Sequence, residues 1–358
     1  MTTGDRRLTD WRPNDWPSDV DVAIVAHDSL SVLPATLQSL VDASCPRERV
    51  TIVDVASTDG TADWIAREHP GIRVRRLDVN AGPSPGRNVG ITEGSSRFVL
   101  LMDADVQIAR DTTRKLHAAM LGDASIKIGS PIVVHADRRD VIQYAGGALH
   151  YICEAVNPWL DRPLLERGSE PADIGAAPTC ALLLDRRTAI DVGLFDERYF
   201  IGKEDGDFTH RINMAGYKIR ELPDALVFHR SRPRGDWLFY YQIRNRWHFI
   251  LKNYQLRTIV SLVPPLLVYE PLQFLVLAAK GHLGTYLRAV GGLIAMVPTL
   301  PRDRSLARRI RRRPDRDLLV SAPIVVRGDL AANPIVRRGK ALYEKFLDAY
   351  WRLMRKVL

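Results

Sequence analysis

Apolar and polar stretches alternate along the first hundred residues, with one strand-like and one helix-like stretch in roughly every thirty residues. Four buried strands are predicted: Val22–Ala26, Val50–Val53, Ile72–Leu77 and Phe98–Met102. The spacing of apolar residues between them predicts three helices: Val32–Val41, a helix through Trp64–Ile65, and Arg87–Ile91. This alternation indicates an α/β fold with a parallel sheet and crossover helices.

Polar residues follow these strands where each strand ends. Asp54 and Asp59 come after the second strand, Arg87 after the third, and Asp103 and Asp105 after the fourth. The carboxyl ends of parallel strands form the edge where open α/β sheets bind ligands. Carboxylates at i and i+2 offer two hard oxygen ligands, and Mg²⁺ or Mn²⁺ completes its shell with water and substrate phosphates. The sequence therefore predicts a metal–diphosphate site, with helix capping by Asp105 as the alternative.

Several segments between about residues 20 and 250 resemble, in order, the signatures of the family 2 glycosyltransferases. Asp54–Thr61 is similar to the family's Asp-Asn-x-Ser-x-Asp-Gly-Thr motif, with Val55 where Asn is usual. Asn80–Gly90 and Gly193–Arg211 resemble two further blocks, and Tyr241–Arg246 resembles the rhamnosyltransferase-type branch. The resemblance implies an inverting enzyme with the Rossmann-like GT-A fold, a mixed sheet flanked by helices that binds a nucleotide-diphospho-sugar.

The resemblance assigns several of the polar residues to the sugar donor. Ala26 and His27, in the turn after the first strand, would line the nucleotide pocket. Asp54 would accept a hydrogen bond from the base or the ribose. Asp59 shares that neighbourhood, although an N-cap for the following helix explains it equally well. Arg87 carries the fork of donors that binds a diphosphate, and a position on the helix surface is its alternative.

Metal ligands are expected at the end of the fourth strand and after a later one. Asp105 is the first candidate for direct ligation, and Asp103 would reach the metal through water or bind the ribose. His229 follows the apolar run Ala225–Phe228, where the resemblance implies a metal- or phosphate-contacting His and a purely structural His is the alternative. Neutral imidazole serves Mn²⁺ as carboxylate does. Mg²⁺ or Mn²⁺ would act as a Lewis acid on the leaving diphosphate.

An acceptor hydroxyl has to lose its proton as it attacks the anomeric carbon, so a carboxylate base is required. Glu204, Asp205 and Asp207 lie at the start of a predicted amphipathic helix, where the helix dipole favours the ionised form. Resemblance to inverting family members points to Asp205 as the base, with Glu204 as the second candidate. Asp207 and Arg211 would orient the site or the acceptor, unless their i,i+4 pair only braces the helix.

Other chemistries find little support in the sequence. The glycine spacing between residues 82 and 90 is not that of a dinucleotide fingerprint, and no phosphate-binding loop with Gly-Lys-Ser/Thr occurs. The three cysteines are scattered, which disfavours zinc sites and disulfide frameworks. A sugar nucleotidyltransferase is the alternative enzyme, but Ala26–Ser29 stands where its Gly-rich loop is usual. A non-catalytic, membrane-associated scaffold is the alternative from another class, and the intact site carboxylates argue against it.

Charge separates the C-terminal part of the chain from the rest. Residues 300–358 hold sixteen Lys and Arg against six Asp and Glu, while the whole chain carries +9. The apolar segment Thr258–Leu300 has uncharged runs that are too short for the ~20 residues of a membrane span. We expect short helices there, at the membrane interface or at a contact with a second copy of the chain. Arg308–Arg313 would bind anionic lipid headgroups, and nucleic acid is the rival polyanion that we do not expect as a partner.

Three parts are predicted along the chain. Residues 1–19 form an N-terminal leader without a signal-peptide pattern, residues 20–255 the GT-A catalytic domain, and residues 256–358 a helical, amphipathic and basic extension. The extension ends in an amphipathic helix over Ile335–Leu358 that fits core packing, dimerisation or membrane docking. We therefore expect a metal-dependent glycosyltransferase at the cytoplasmic face of the cell membrane. It would move a sugar from a nucleotide-diphospho-sugar to a lipid-linked or envelope glycan acceptor.

Overall fold

A ten-stranded mixed sheet forms the centre of the protein. The computed structural model describes residues 16–231, 235–324 and 334–358, so the predicted leader up to residue 15 lies outside the described residues. The strands are β1 (Val20–Ala26), β2 (Val50–Val55), β3 (Arg73–Leu77), β4 (Phe98–Asp103), β5 (Val106–Ile108), β6 (Ile126–His135), β7 (Ile142–Tyr144), β8 (Ala148–His150), β9 (Ala155–Val156), β10 (Ala172–Asp173), β11 (Ala181–Asp185), β12 (Lys218–His229) and β13 (Leu319–Val320).

Helices flank this sheet and fill the C-terminal part of the chain. They are α1 (Leu33–Asp42), α2 (Thr61–Glu68), α3 (Pro83–Glu93), α4 (Thr112–Gly122), α5 (Arg186–Asp191), α6 (Glu204–Met214), α7 (Leu238–Asn253), α8 (Leu256–Ser261), α9 (Val263–Ala279), α10 (Leu283–Met296), α11 (Leu300–Ile310), α12 (Asp315–Leu318) and α13 (Pro334–Met354). The helices predicted between the first four strands correspond to α1, α2 and α3.

The predicted parallel sheet is present and has the spatial order β4-β1-β2-β3. On the other side of β4, the antiparallel β11 separates β4 from β6, and β12 pairs with β6 in parallel. The whole sheet is therefore mixed. Strands β8, β9 and β13 form a separate small sheet, in which β13 joins the C-terminal extension to the rest of the fold.

Both faces of the large sheet are buried, which explains why β4 reads as a continuous apolar run. Leu100 and Met102 pack into a core on the face that α1 and α4 cover. Val99 and Leu101 point to the other face and pack with residues of α3, α5 and α6. Because side chains alternate between the two faces of a strand, one run of five apolar residues supplies both cores.

The strand register brings the predicted polar residues to one edge. Val25 pairs with Asp103, and Ala26 pairs with Asp54, so β1, β2 and β4 end side by side. His229, the last residue of β12, reaches the same edge because it pairs with Val106 of β5.

A third core crosses the predicted domain boundary at residue 255. It includes Tyr151 from the segment after β8, Phe249 from α7, Leu262 near the start of α9 and Trp351 from α13. The rings of Tyr151 and Trp351 are stacked with centroids 4.7 Å apart. The extension is therefore packed onto the sheet-bearing part. The domain boundary at residue 255 remains a prediction.

One long helical stretch lies in the extension. Leu283–Ile310, made of α10, a short 3₁₀ turn and α11, is the one stretch in the described ranges that is long and apolar enough to cross a membrane. α10 packs along α7, and α11 packs against α6 and α7. Despite these contacts, only 11 % of its most apolar window is buried, and the stretch is longer than the short helices expected from the sequence.

Two buried histidines make stability depend on pH. Burial lowers the pKa of His150 and the pKa of His210 to about 4, whereas an unfolded His titrates near ~6.5. Between these values the unfolded chain binds more protons than the folded chain, so the free energy of unfolding decreases as the pH falls through this window. From pH 7 to 5 we expect a loss of about 4 kcal/mol from the two histidines together.

Urea denaturation at pH 7 and at pH 5 measures this loss. The double variant His150→Gln/His210→Gln should show most of the pH dependence removed, because neither replacement titrates. Equal pH dependence in the double variant and the wild type would contradict the assignment.

Candidate active site

The carboxyl ends of the strands border a pocket of about 820 Å³. Charged, polar and aromatic side chains from distant parts of the chain line it, among them His27, Asn80, Arg87, Asp103, Asp105, Gln143, Tyr144, Phe200, Glu204, Asp205, His229 and Trp237. Five predicted site residues are not among the described lining residues: Ala26, Asp54, Asp59, Asp207 and Arg211. The structure thus brings seven of the twelve predicted residues to one pocket.

Asp103 and Asp105 occupy the end of β4 and the turn into β5. The capping alternative for Asp105 is wrong, because strand β5 follows it and the next helix, α4, has Asp111 at its N-cap position. The backbone N–H of Arg230 donates to the Asp105 carbonyl over 3.0 Å. This bond fixes the turn beside the end of β12.

His229 lies beside Asp105 in the pocket lining. Its Nε2 lies 3.5 Å from Asp105 Oδ1, and its Nδ1 lies 2.7 Å from Gln143 Oε1. With Nδ1–H donating to the Gln143 oxygen, the Nε2 lone pair is directed to the pocket, as in histidines that bind metals. Gln143 therefore sets the tautomer that a metal ligand needs.

This pair fits a divalent ion that the substrate helps to hold. Nowhere in the described ranges are three or more His, Cys, Asp or Glu side chains grouped as a complete metal site. An Asp and a His are, however, a sufficient protein contribution for Mn²⁺ or Mg²⁺ where substrate phosphates fill further positions. Asp103 also lines the pocket, and its carboxylate accepts hydrogen bonds from Arg87.

Arg87 lies beneath the pocket and holds two carboxylates. Its Nη2 donates to Asp103 over 3.1 Å, and its Nη1 donates to Asp205 over 3.0 Å. Only 3 % of Arg87 is exposed, so the alternative of a surface arginine is wrong. The predicted fork is present, but in this structure it faces two carboxylates instead of open pocket.

Two glycines of α3 explain how Arg87 reaches this position. A Cβ on Gly86 would lie 2.9 Å from side-chain atoms of β1 and β2, and a Cβ on Gly90 would lie 2.6 Å from Ala23. Because glycine has no Cβ, α3 can lie close against the sheet at these two positions. The four-residue glycine spacing in the sequence thus serves helix–sheet packing, which sets Arg87 under the strand ends.

Burial and the neighbouring charges shift the pKa values of Asp103 and Arg87. Burial raises the pKa of Asp103, Arg87 opposes this rise, and the nearby Asp105 and Asp205 carboxylates add to it. Burial alone would lower the pKa of Arg87, but Asp103, Asp205 and Glu204 raise it above its usual value. Arg87 therefore stays charged and compensates for carboxylates that would otherwise repel one another.

Asp205 is held at the start of α6 by two donors. Arg87 Nη1 and the Thr179 hydroxyl both donate to its Oδ1. Among the described contacts neither bond uses Oδ2, and the side chain is about one-third exposed at 34 %. Asp205 thus has a fixed carboxylate with one oxygen available on the pocket side. Glu204, beside it, is buried.

His27 lines the pocket, and both of its ring nitrogens have polar partners. Nδ1 lies 2.7 Å from the Val55 carbonyl, and Nε2 lies 2.9 Å from Asn80 Nδ2. Asp54 is fully buried, and no hydrogen-bond partner for its carboxylate oxygens is found in the described residues. The nearest cation is Arg76, whose Nε is 3.6 Å away.

Asp59 connects two loops through hydrogen bonds to backbone N–H groups. Its carboxylate accepts hydrogen bonds from the backbone N–H groups of Thr61 and Leu30 over 3.0 and 2.9 Å. Burial would raise the pKa of Asp59, but these hydrogen bonds, together with one from the Thr61 hydroxyl, lower it. Gly60 takes the N-cap position of α2, so Asp59 ties the start of that helix to the loop after β1.

Asp207 and Arg211 lie inside the protein instead of at the pocket. Arg211 Nε donates to Asp207 over 3.0 Å, and Lys252 and Asn253 also donate to the Asp207 carboxylate. Burial would raise the pKa of Asp207, but Arg211 and Lys252 lower it. A contact of Asp207 with an acceptor is excluded because none of the residue is exposed. The predicted i,i+4 pair is present and braces α6.

Comparison with known proteins identifies the sheet-bearing part. The family model described as "Glycosyl transferase family 2" matches residues 21–181. This segment is a family 2 glycosyltransferase domain. It carries His27, Asn80, Arg87 and the Asp103–Asp105 turn, whereas Asp205 and His229 lie beyond the matched residues.

Curated relatives of the family 2 domain include three bacterial enzymes. A pre-mycofactocin glycosyltransferase of Mycobacterium tuberculosis is 29 % identical over 63 % of this chain and 46 % of its own length. An N-acetylglucosaminyl-diphospho-decaprenol L-rhamnosyltransferase of the same organism is 28 % identical over 59 % of this chain and 76 % of its own length. A dTDP-rhamnosyl transferase of Shigella flexneri is 22 % identical over 66 % and 81 %. The chain thus spans about half the length of the first of these relatives.

Solved structures show the fold of the family 2 domain. GalNAc-T7, solved with UDP, GalNAc and Mn²⁺, aligns with a TM-score of 0.54 at 17 % identity over 66 % of this chain and 48 % of its own. Residues 1–349 of Staphylococcus aureus TarS, solved with UDP-GlcNAc, align with a TM-score of 0.52 at 19 % identity over 94 % and 90 %. The mixed sheet and its helices are therefore the expected GT-A fold.

Three supporting residues of the family 2 domain were not predicted. Gln143 and Thr179 hold His229 and Asp205 through hydrogen bonds, and Gln143 and Tyr144 line the pocket. Burial raises the pKa of Tyr144, as do the nearby Asp205 and Glu221 carboxylates. The only sequence signal was a polar residue beside a short apolar run, and such residues are common in loops.

Proposed function

We propose that this chain transfers a sugar, with inversion, from a nucleotide-diphospho-sugar to a hydroxyl of a lipid-linked glycan acceptor. The observation that carries the proposal is that Asp105, His229 and Asp205 line one pocket. Arg87 connects the turn that carries Asp105 to Asp205 through its bonds to Asp103 and Asp205. One pocket thus offers a diphosphate site and a general base.

The donor would lie along the strand ends. His27 and Asn80 line the pocket and would contact the nucleotide; Asp54 is fully buried behind them and outside the described lining. Asp105 and His229 would hold Mn²⁺ or Mg²⁺, which as a Lewis acid neutralises charge on the leaving diphosphate. Arg87 donates to both Asp103 and Asp205, so its proposed role is positioning.

The chemical step needs one proton acceptor. The acceptor hydroxyl gives its proton to Asp205 Oδ2 as its oxygen bonds to the anomeric carbon and the bond to the nucleoside diphosphate breaks. Thr179 and Arg87 hold the other oxygen, Oδ1, so the reactive oxygen has a fixed position. Attack opposite to the leaving group inverts the anomeric configuration.

A lipid-linked acceptor is supported by the surface of the extension. Of the 22 large apolar side chains that are exposed in the described ranges, 16 lie beyond residue 255. The exposed charged residues of the described extension are thirteen Lys and Arg and one Asp. An apolar surface with a strong positive bias suits an anionic membrane. One relative is named for a decaprenol-linked substrate.

Donor binding tests this proposal first. We would titrate the protein with UDP-, dTDP- and GDP-sugars, with and without Mn²⁺, and measure heats of binding. Because the metal and the diphosphate complete each other's coordination, at least one donor should bind much more tightly with Mn²⁺ present. Weak, metal-independent binding of every donor would contradict the proposal.

Membrane binding is expected to depend on the basic border of α13. The apolar stripe of Leu342, Phe346 and Leu353 in α13, continued by Val357 just after the helix, is exposed, whereas Leu347 and Trp351 pack inward. Exposed basic residues flank the stripe, and each contributes about 1 kcal/mol near an anionic surface. Replacing Arg338, Lys345 and Lys356 with Gln should weaken binding to anionic vesicles roughly a hundredfold.

Co-sedimentation with vesicles at low and high salt measures this effect. The matched control replaces Arg67, Arg114 and Arg187, which are exposed basic residues of the sheet-bearing part, with Gln and should leave binding almost unchanged. A wild-type protein that stays in the supernatant with anionic vesicles at low salt would exclude membrane docking. The exposed stripe would then be a contact with a second copy.

A further inference from the structure

A second, apolar groove lies in the extension, between α7, α8 and α9. It has a volume of about 330 Å³, at the lower end of the range of ligand pockets. Trp247 and Ile250 of α7 form one wall, and Leu262, Val263 and Leu266 form the opposite wall. No residue of the groove belongs to the pocket that holds Asp105 and Asp205.

The groove carries no net charge. Glu270 is the one charged residue among its described lining residues. The Glu270 carboxylate accepts a hydrogen bond from the buried guanidinium of Arg246, and Tyr286 lies 3.4 Å away. Because the carboxylate is neutralised by Arg246, the groove favours a hydrocarbon ligand over a polar or ionic one.

The open side of the groove continues into the exposed apolar face of α9. Val263 and Leu267 lie on its rim and are 53 % and 70 % exposed. Val268, Leu272 and Leu275 extend the same apolar surface along α9. A chain that leaves the groove therefore stays on an apolar surface, the one that the proposed function assigns to the membrane.

Helix α7 connects the groove to the candidate active site. Trp237, at the N-cap of α7, lines the active-site pocket, and Trp247 lines the groove. Ten residues of α-helix separate them, an axial distance of about 15 Å. A diphosphate with one or two sugar rings spans a distance of this order, so one molecule can reach both places.

We propose that the groove binds the part of the acceptor's hydrocarbon chain nearest to its headgroup, an isoprenoid or similar lipid tail, while the acceptor sugar enters the active-site pocket. This inference rests on the proposed function, since it names the class of acceptor. The groove would make chain length a determinant of acceptor affinity. Donor binding would not depend on it.

Val263→Trp fills the groove from its rim. We expect KM for a long-chain acceptor in detergent to rise at least tenfold, the loss of contact with about two methylene groups. The KM for a short-chain analogue of the same glycan, the kcat and the donor Kd should stay unchanged. Val260→Trp is the matched control, because Val260 is an equally exposed valine at 62 % that does not line the groove.

A binding measurement tests the groove without any turnover. A nitroxide-labelled isoprenyl phosphate should quench Trp247 fluorescence in the wild type and in Val260→Trp but not in Val263→Trp, and Trp247→Phe should remove the quenched component. Loss of all transfer with quenching intact would contradict the proposed function and leave the groove assignment standing.

Two results would overturn the groove assignment. The first is that Val263→Trp changes KM equally for long- and short-chain acceptors, or changes KM for neither. The second is unchanged KM together with weaker vesicle binding in Val263→Trp alone, which would assign the groove to bulk membrane lipid.

Discussion

Replacing Asp205 with Asn is expected to lower sugar transfer by 10²–10⁴-fold, the usual effect of removing a general base. Asn keeps the shape of the side chain and can still accept the hydrogen bonds from Thr179 and Arg87, so the fold and the donor site should persist. Donor Kd, measured with Mn²⁺, should therefore change little while kcat falls. Single-turnover rates across pH separate the chemical step from product release.

Glu204→Gln is the matched control for this prediction. Glu204 is the neighbouring carboxylate, but it is buried, so its loss should reduce kcat less than Asp205→Asn does. A drop of equal or larger size in Glu204→Gln would move the base to Glu204. Parallel loss of donor binding in Asp205→Asn would make Asp205 a donor or metal contact instead.

Asp105→Ala should abolish metal stimulation and lower transfer at least a hundredfold, because Lewis-acid stabilisation of a leaving diphosphate contributes several kcal/mol. The folded structure should survive, since Asp105 lies in a turn at the pocket and contributes little to the core. His229→Ala should have a milder effect that excess Mn²⁺ partly reverses. Transfer rates over a Mn²⁺ titration measure both.

Asp111→Ala provides the control, because Asp111 is another Asp close in sequence, placed at the start of α4 and outside the described pocket lining. It should keep the wild-type Mn²⁺ dependence. Near-normal, metal-stimulated turnover in Asp105→Ala would contradict the metal assignment. Wild-type turnover that does not change when Mn²⁺ is added or removed would also contradict the metal assignment.

The sequence predicted the first half of the fold well because local pattern and tertiary burial agree there. The run Phe98–Met102 is apolar at every position, and a strand covered on both faces requires this. The strands after β4 were harder to predict. β11 inserts antiparallel between β4 and β6, and no local pattern specifies which distant strand will be the neighbour.

The candidate site was predicted in part, for a similar reason. Asp103 and Asp105 could be found because they follow an apolar run. Asp205 could be found because it lies in an acidic motif at a predicted helix start that resembles the family's. Arg87 was expected at a phosphate or on a helix surface, yet it is buried between Asp103 and Asp205. Its burial follows from α3 lying close to the sheet, which depends on tertiary packing.

The residues that support the site were not predictable. Gln143 and Thr179 lie far in sequence from the side chains that they hold, and their residue types are common in turns. Asp207 shows the opposite error. Its acidic motif predicted a place at the site, but the partners that neutralise it include Lys252, 45 residues further along the chain.

The amphipathic helix at the end of the chain was predicted. Whether its apolar stripe packs against the protein or faces outward was not predicted. The four-residue spacing of Leu342 and Phe346 fits inward packing and outward docking equally well. In the structure these residues are exposed, and Leu347 and Trp351 pack inward. Helix periodicity defines a stripe, whereas its partner depends on the rest of the fold.

Product analysis of a single reaction tests the central claim most directly. The purified protein would be incubated with the nucleotide-sugar that binds best, Mn²⁺ and a lipid-linked glycan, and the products identified by mass spectrometry and NMR. We predict one nucleoside diphosphate released for each sugar added to the acceptor, with inverted anomeric configuration and no transfer without a divalent ion. Cleavage of the donor by pyrophosphate into a nucleoside triphosphate and a sugar phosphate would contradict the account, since that is the reaction of a sugar nucleotidyltransferase.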